Sequence, residues 1–317
     1  MILMLEEKNQ TFSKDFILLG LLDPDKYGLL FLAFLLIIFM LAVTGNSILI
    51  LLIRLDSRLH TPMYFLLSHL SFMDILHISN IVPKMANNFI SGRKSITFTG
   101  CGFQVFFSLI FLGAECLLLT VMSYDRYVAI CHPLRYPILM SHRISVLMAA
   151  SCWLVAIINS TIHTIYVLHI PFCGTRAIDH FFCEIPAMLK LSCVDTSHYE
   201  GGGDVSAVFF LLIPFSIILA SYGQILRTVL HIKSKEAQKK AFSTCSSHLT
   251  VVVMYYGPFI FTYMRPKSYH TPGQDKILAI LYTILTPMLN PMIYSLRNKD
   301  VLCAMKKVLG NILLHRN

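Results

Sequence analysis

Asp74 and Glu115 stand inside otherwise apolar stretches of this 317-residue chain. A lone carboxylate in hydrocarbon is costly and is kept where it binds or relays something. Two of them can share a hard monovalent cation, or share one proton so that a carboxyl donates to its ionised neighbour. Asp125-Arg126-Tyr127 closes another apolar run. A guanidinium at a membrane edge is costly unless paired, so this pair can serve as a latch that opens when helices part. An arginine that merely snorkels to the interface reads equally well from position alone. In Asn290-Pro291-x-x-Tyr294, the proline removes a backbone donor, frees a carbonyl and kinks its helix. His180-Phe181-Phe182-Cys183-Glu184 has metal-ligand residue types, but a Cys183 committed to a disulfide cannot also bind a metal.

These residues need a scaffold, and composition says which. The chain is 56% hydrophobic and 14% charged, whereas soluble domains sit near about 45–50% apolar and about 25% charged. So few charges cannot cover the surface of a soluble protein this long. Seven segments approach the roughly 20 apolar residues that span a bilayer: Tyr27–Ile53, Pro62–Val82, Phe98–Tyr124, Ile144–Ile165, Val205–Leu226, Phe242–Tyr263 and Ile277–Leu296. The fold class is therefore an all-α membrane protein, a seven-transmembrane helix bundle. Residues 1–26 form an N-terminal tail, 27–298 the bundle and 299–317 a C-terminal tail. The longest connection, 166–204, ends in Gly201-Gly202-Gly203, which reads as a flexible hinge into the fifth span. The opening residues are too charged for a cleavable signal peptide, so the first span is expected to act as its own insertion signal.

With the N-terminus outside, 15 of the 26 basic residues fall on the cytoplasmic side, concentrated in the last two inner segments. The net charge of +9 then reads as orientation plus contact with anionic membrane lipids; no nucleic-acid partner is expected. Asn9-Gln10-Thr11 is a glycosylation sequon on the proposed outer tail. Cys101, Cys173, Cys183 and Cys193 also fall outside, where disulfides persist; four cysteines allow three pairings, and spacing does not choose among them.

Longer motifs are more specific. Met122-Ser123-Tyr124-Asp125-Arg126-Tyr127-Val128-Ala129-Ile130-Cys131-His132-Pro133-Leu134-Arg135-Tyr136 closes the third span and Pro62-Met63-Tyr64-Phe65-Leu66-Leu67 opens the second. Lys240-Ala241-Phe242-Ser243-Thr244-Cys245-Ser246-Ser247-His248 opens the sixth, and Pro287-Met288-Leu289-Asn290-Pro291-Met292-Ile293-Tyr294 closes the seventh. Together, from about Phe16 to Val301, the chain resembles an olfactory receptor of the tetrapod-type (class II) branch, a rhodopsin-like (class A) G-protein-coupled receptor. Ser123, where alanine is more usual, and Pro258, after Gly257 in the sixth span, are small departures.

The resemblance implies the latch reading of Asp125-Arg126-Tyr127, and an inward movement of Tyr294 on activation. It implies the pairs Cys101–Cys183 and Cys173–Cys193. Asp74 matches a sodium-site aspartate and Glu115 an acid often found opposite it, with Asn46 as neutral neighbour. Tyr256 matches a switch position beneath the pocket. The pocket itself is expected among Ser108, Leu109, Leu112, Gly113, Ser206, Phe210, Phe259, Tyr263, Ile280 and Thr283, apolar with sparse hydroxyls, suiting a small, neutral, largely hydrophobic volatile odorant. Lys239, Lys240 and Pro133 are expected to flank a cleft for an olfactory stimulatory G protein that raises cyclic AMP, and the location implied is the plasma membrane of olfactory cilia. No internal repeat favours a transporter, no charged ring or carbonyl filter a channel, and no nucleophile–base motif an enzyme.

Overall fold

The computed structural model describes residues 15–21, 28–264, 271–296 and 298–314; Asn9 lies outside them. The helices are α1 (Gly28–Leu55), α2 (Pro62–Ser91), α3 (Phe98–Cys131), α4 (His142–His169), α5 (Ser197–Leu230), α6 (Lys235–Tyr263), α7 and α8 (Lys299–Leu314). Helix α7 runs as Pro272–Ile280, a π turn Leu281–Leu285 and Thr286–Leu296. Among the described residues six of these are long and apolar enough to cross a membrane. The seventh, α6, is less apolar: its first turns carry Lys235, Glu236, Lys239 and Lys240, and its charge-free remainder is interrupted by Ser246, Ser247, His248, Thr250, Gly257 and Pro258. Together they form a seven-transmembrane bundle.

Local caps set the helix ends, and several helices run beyond the apolar segments into polar sequence. Thr97 Oγ1 accepts from Gly100 N at 3.0 Å to start α3, and Ser234 Oγ accepts from Ala237 N at 3.3 Å to start α6. Gly92 ends α2 in the left-handed conformation, φ 68°. Gly201–Gly203 are not a hinge: they lie inside α5, whose first turn begins at Ser197. Nor is the C-terminal tail irregular, since α8 buries Val301 and Ala304 on one face and exposes Lys299, Lys306 and Lys307 on the other.

Helix α3 is central. In its most apolar stretch 67% of residues are buried inside the protein, against 28% in α1, whose remaining faces are left for lipid. The close pairing of α1 with α7 depends on Gly45, where a Cβ would come within 3.1 Å of Pro291 Cγ.

One end of the bundle carries a small sheet in the order β2-β1-β3, from Ser95–Ile96, Phe16–Leu18 and Ala177–Ile178. In β1, Phe16 and Leu18 are buried while Ile17 points away, the period-two pattern of a strand with one covered face. Part of the N-terminal tail is thereby built into the loop after α4. The pairs Cys101–Cys183 and Cys173–Cys193 are both bonded, so that loop is fastened to the first turns of α3 and to itself.

Candidate functional site

Under the stapled loop lies a cavity of about 400 Å³. Helix α3 contributes Ser108, Leu109, Leu112 and Gly113, α5 contributes Ser206 and Phe210, and α6 contributes Phe259 and Tyr263. These eight sequence candidates converge on one space. Gly113 is required there, because a Cβ would approach Phe210 Cε1 to 3.1 Å. Ser108 Oγ accepts from Asn80 Nδ2 at 3.0 Å, which orients that wall.

Three candidates stand elsewhere. Thr283 is fully buried, with its hydroxyl donating to Ala279 O at 2.6 Å, and Ile280 packs against the hydrophobic core. Both flank or occupy the π turn of α7, whose extra residue rotates this part of the helix away from the register of a regular α-helix. Tyr256 lies one turn deeper, its hydroxyl donating to Cys116 O at 2.9 Å. Beside it, Tyr255 donates to Leu112 O at 2.7 Å, so two buried bonds tie α6 to α3.

The cavity is more polar than its residue list suggested. Helix α4 adds Asn159 and His163, and Tyr199 and Glu184 complete the wall. His163 Nδ1 lies 2.9 Å from Tyr199 Oη and Nε2 lies 2.7 Å from Ser206 Oγ. Two polar residues four apart in an apolar span were the available signal for this wall. At the roof, Glu184 Oε1 accepts from Tyr263 at 3.1 Å and Tyr282 at 2.8 Å, joining the loop to α6 and α7. Its Oε2 lies 3.1 Å from His180 Nε2, and burial holds the His180 imidazole below its ordinary pKa. Cys183 N donates to Gln104 Oε1 at 2.8 Å, a second tie to α3. The Cys183 sulfur is spent on Cys101, and among the described residues no cluster of three His, Cys, Asp or Glu groups is placed to hold a metal.

Deep in the bundle, Asn290 Nδ2 donates to Asp74 Oδ1 at 3.2 Å and Oδ2 at 3.0 Å. Glu115 Oε1 is buried and has no hydrogen-bond partner among the described residues. Asn46 Oδ1 is likewise buried and without a hydrogen-bond partner among the described residues. The carbonyl that Pro291 cannot bond is that of Pro287, four residues earlier, and Asn46 Nδ2 donates to it at 2.8 Å. The freed carbonyl is thus satisfied from α1. Tyr294 is buried with its hydroxyl unpartnered among the described residues.

At the opposite end, Arg126 Nη2 lies 3.5 Å from Asp125 Oδ2. The shorter contact on this acid comes from the last residue of the same motif: Tyr136 Oη donates to Asp125 Oδ1 at 2.8 Å. Tyr127 Oη is 3.0 Å from His132 Nε2. Pro133 and Lys239 are exposed, and the side chain of Lys240 lies outside the described residues. Leu134 beside Pro133 is 94% exposed, an apolar side chain offered to solvent at a loop tip.

A seven-helix membrane bundle with a walled cavity at one end and an acid–arginine pair closing its third helix at the other has the design of a G-protein-coupled receptor. The sequence matches the family described as "Olfactory receptor" over residues 35–312. It is 69% identical over 309 residues to human "Olfactory receptor 2AJ1", covering 98% of this chain and 94% of that one. It is 58% identical to human "Olfactory receptor 2L8", covering 96% and 97%, and 52% identical to mouse "Olfactory receptor 2V1", covering 94% and 95%. The chain belongs to the olfactory receptor family, whose members are multi-pass G-protein-coupled receptors for odorants and not enzymes.

Proposed function

We propose that the chain takes a small, largely hydrophobic volatile molecule into the cavity and activates a stimulatory G protein of the olfactory type, raising cyclic AMP. The cavity of about 400 Å³ between α3, α5 and α6 carries the reading. Its volume lies in the small-molecule range, and the bonds from Tyr255 and Tyr256 to α3 lie directly beneath it. A ligand that favours the geometry in which those bonds loosen shifts α6 outward at the far end. Asp125 then releases Arg126, and the G protein docks between Lys239, Lys240 and the loop at Pro133.

In this reading the stapled end faces outside, supported by its disulfides, and Asn9 carries a glycan. The opposite end, rich in Lys and Arg, faces the cytoplasm and its anionic lipids, in the plasma membrane of sensory cilia. Asp74 and Glu115 fit a sodium ion, which would be held by their carboxylate oxygens and would favour the resting arrangement. The unpartnered Glu115 Oε1 supports that assignment.

The test is a cyclic-AMP reporter in cells expressing the chain, screened against volatile molecules beside Arg126→Ala. A dose-dependent signal lost in the variant at equal surface expression is expected. A signal that survives the substitution would remove the latch from the mechanism.

A further inference from the structure

We infer that the α4 wall is a hydrogen-bond-donating subsite, and that the cavity selects molecules carrying an acceptor oxygen, such as ketones, aldehydes and esters, on an apolar body. The inference rests on the cavity being the ligand site. It is carried by the direction of one hydrogen-bond chain.

A hydroxyl has a single proton. Ser206 gives its proton to Asn159 Oδ1 at 3.1 Å. At its 2.7 Å contact with His163 Nε2, Ser206 must therefore accept, and the ring must be protonated there. A neutral imidazole protonated at Nε2 accepts at Nδ1, where the Tyr199 hydroxyl, 2.9 Å away, donates. The order is fixed: Tyr199 to His163 to Ser206 to Asn159. The chain ends on the asparagine oxygen and turns the rest of that amide outward. Asn159 lines the cavity, and its Nδ2 donates to no protein group among the described residues. An amide donor in a mostly apolar wall seeks an acceptor, and the ligand is what can supply one.

The acceptors of this hydrogen-bond chain are engaged. His163 Nδ1, Ser206 Oγ and Asn159 Oδ1 each already receive a proton, and Glu184 Oε1 receives two, from Tyr263 and Tyr282. An alkylammonium finds no acceptor at Asn159 Nδ2, and its counter-charges, the carboxylates of Glu184, Glu200 and Asp204, stand elsewhere in the lining. An alcohol can accept from Asn159 but must place its own proton. An alkane leaves the amide unsatisfied. At this wall the order of preference is therefore carbonyl, alcohol, then alkane, and an amine held by the carboxylates should be indifferent to loss of the Asn159 amide.

The test is ligand-induced thermal stabilisation of the detergent-purified full chain, which does not depend on signalling. Straight-chain methyl ketones are compared with alcohols, amines and alkanes of equal length. Ketones are expected to stabilise saturably and best. Asn159→Leu should weaken their apparent Kd about tenfold while leaving the alkanes unmoved. Asn159→Asp, which offers acceptors only, should lose ketones and gain amines, an inversion that loose packing would not produce. The inference is overturned if no ketone stabilises the chain, if alkanes do so equally, or if Asn159→Leu binds ketones as before. Ketone binding without a cyclic-AMP response would instead sink the signalling proposal and leave this one standing.

Discussion

At the stapled end, two disulfides and the bonds converging on Glu184 hold a roof over an open cavity. The opposite end has single polar contacts: Arg126 to its neighbour Asp125 at 3.5 Å, Tyr136 of the following loop to Asp125 at 2.8 Å, and Tyr222 of α5 to His248 of α6 at 2.9 Å. The first construction is covalent and keeps its shape. The second is made of bonds worth about 0.5–1.5 kcal/mol net each. A ligand can shift an equilibrium only by its differential affinity for the two states, so the end that responds must be held by interactions of that size. Permanence is concentrated where a pocket must be preserved, and reversibility where helices must part.

Breaking the staple tests that contrast most severely. Cys101→Ala opens a link between residues 82 apart in sequence and leaves Cys183 held to α3 only by its bond to Gln104. Loss of such a bond costs about 2–5 kcal/mol, enough to abolish surface delivery or ligand response. Surface immunolabelling with a reporter assay reads it. A variant delivered and responding normally would mean that the polar contacts alone hold the roof.

At the other end the expected effect is smaller and of opposite sign. Tyr136→Phe removes the hydroxyl that donates to Asp125 Oδ1 and leaves the buried carboxylate to Arg126 alone. Losing that bond should cost the resting state about 1–3 kcal/mol. Ligand-independent cyclic AMP should rise at unchanged surface expression, while Tyr127→Phe, which touches His132 and not Asp125, should not raise it. Equal basal activity in both variants would place the restraint elsewhere.

The helix order was legible because apolar runs of membrane length leave little choice, and α3 and α6 exposed their pocket faces through residue types alone. What escaped was set by local geometry that composition does not encode. The π turn of α7 moved Ile280 and Thr283 off the cavity. The turns before Val205 continued as helix despite three glycines, because α5 is entered from a polar first turn at Ser197–Glu200. On α4 the packed face is a row of mostly small residues, Ser145, Ala149, Cys152, Ala156 and Ser160. Asn159 and His163 border that row, and residue types alone do not say which of its sides opens to the cavity. The resemblance makes Asn46 a neighbour of Asp74 and Glu115; the bond from its Nδ2 to the Pro287 carbonyl is one that only the proline register singles out.

The finest adjustment of the contrast is in the roof itself. His180 is 2% exposed, stacked on Phe181 with centroids 4.6 Å apart and edge-on to Phe182 at 4.7 Å. Glu184, Asp179 and Asp275 favour its protonated form and Lys276 opposes it, but burial outweighs them and lowers its pKa from 6.5. The sign follows from linkage: an unfolded or opened roof binds a proton that the closed roof refuses, so closure is favoured fully above about pH 6.5 and is lost as pH falls below it. The loss stops once the closed form also protonates, at its depressed pKa. Between about pH 7.5 and about pH 5.5 the thermal midpoint of the purified chain should therefore fall. In His180→Phe, which keeps the aromatic stacking and cannot titrate, the same interval should give a flatter profile. Identical slopes in the two proteins would assign the acid sensitivity to other groups and leave the roof held by its disulfides and the Glu184 bonds alone.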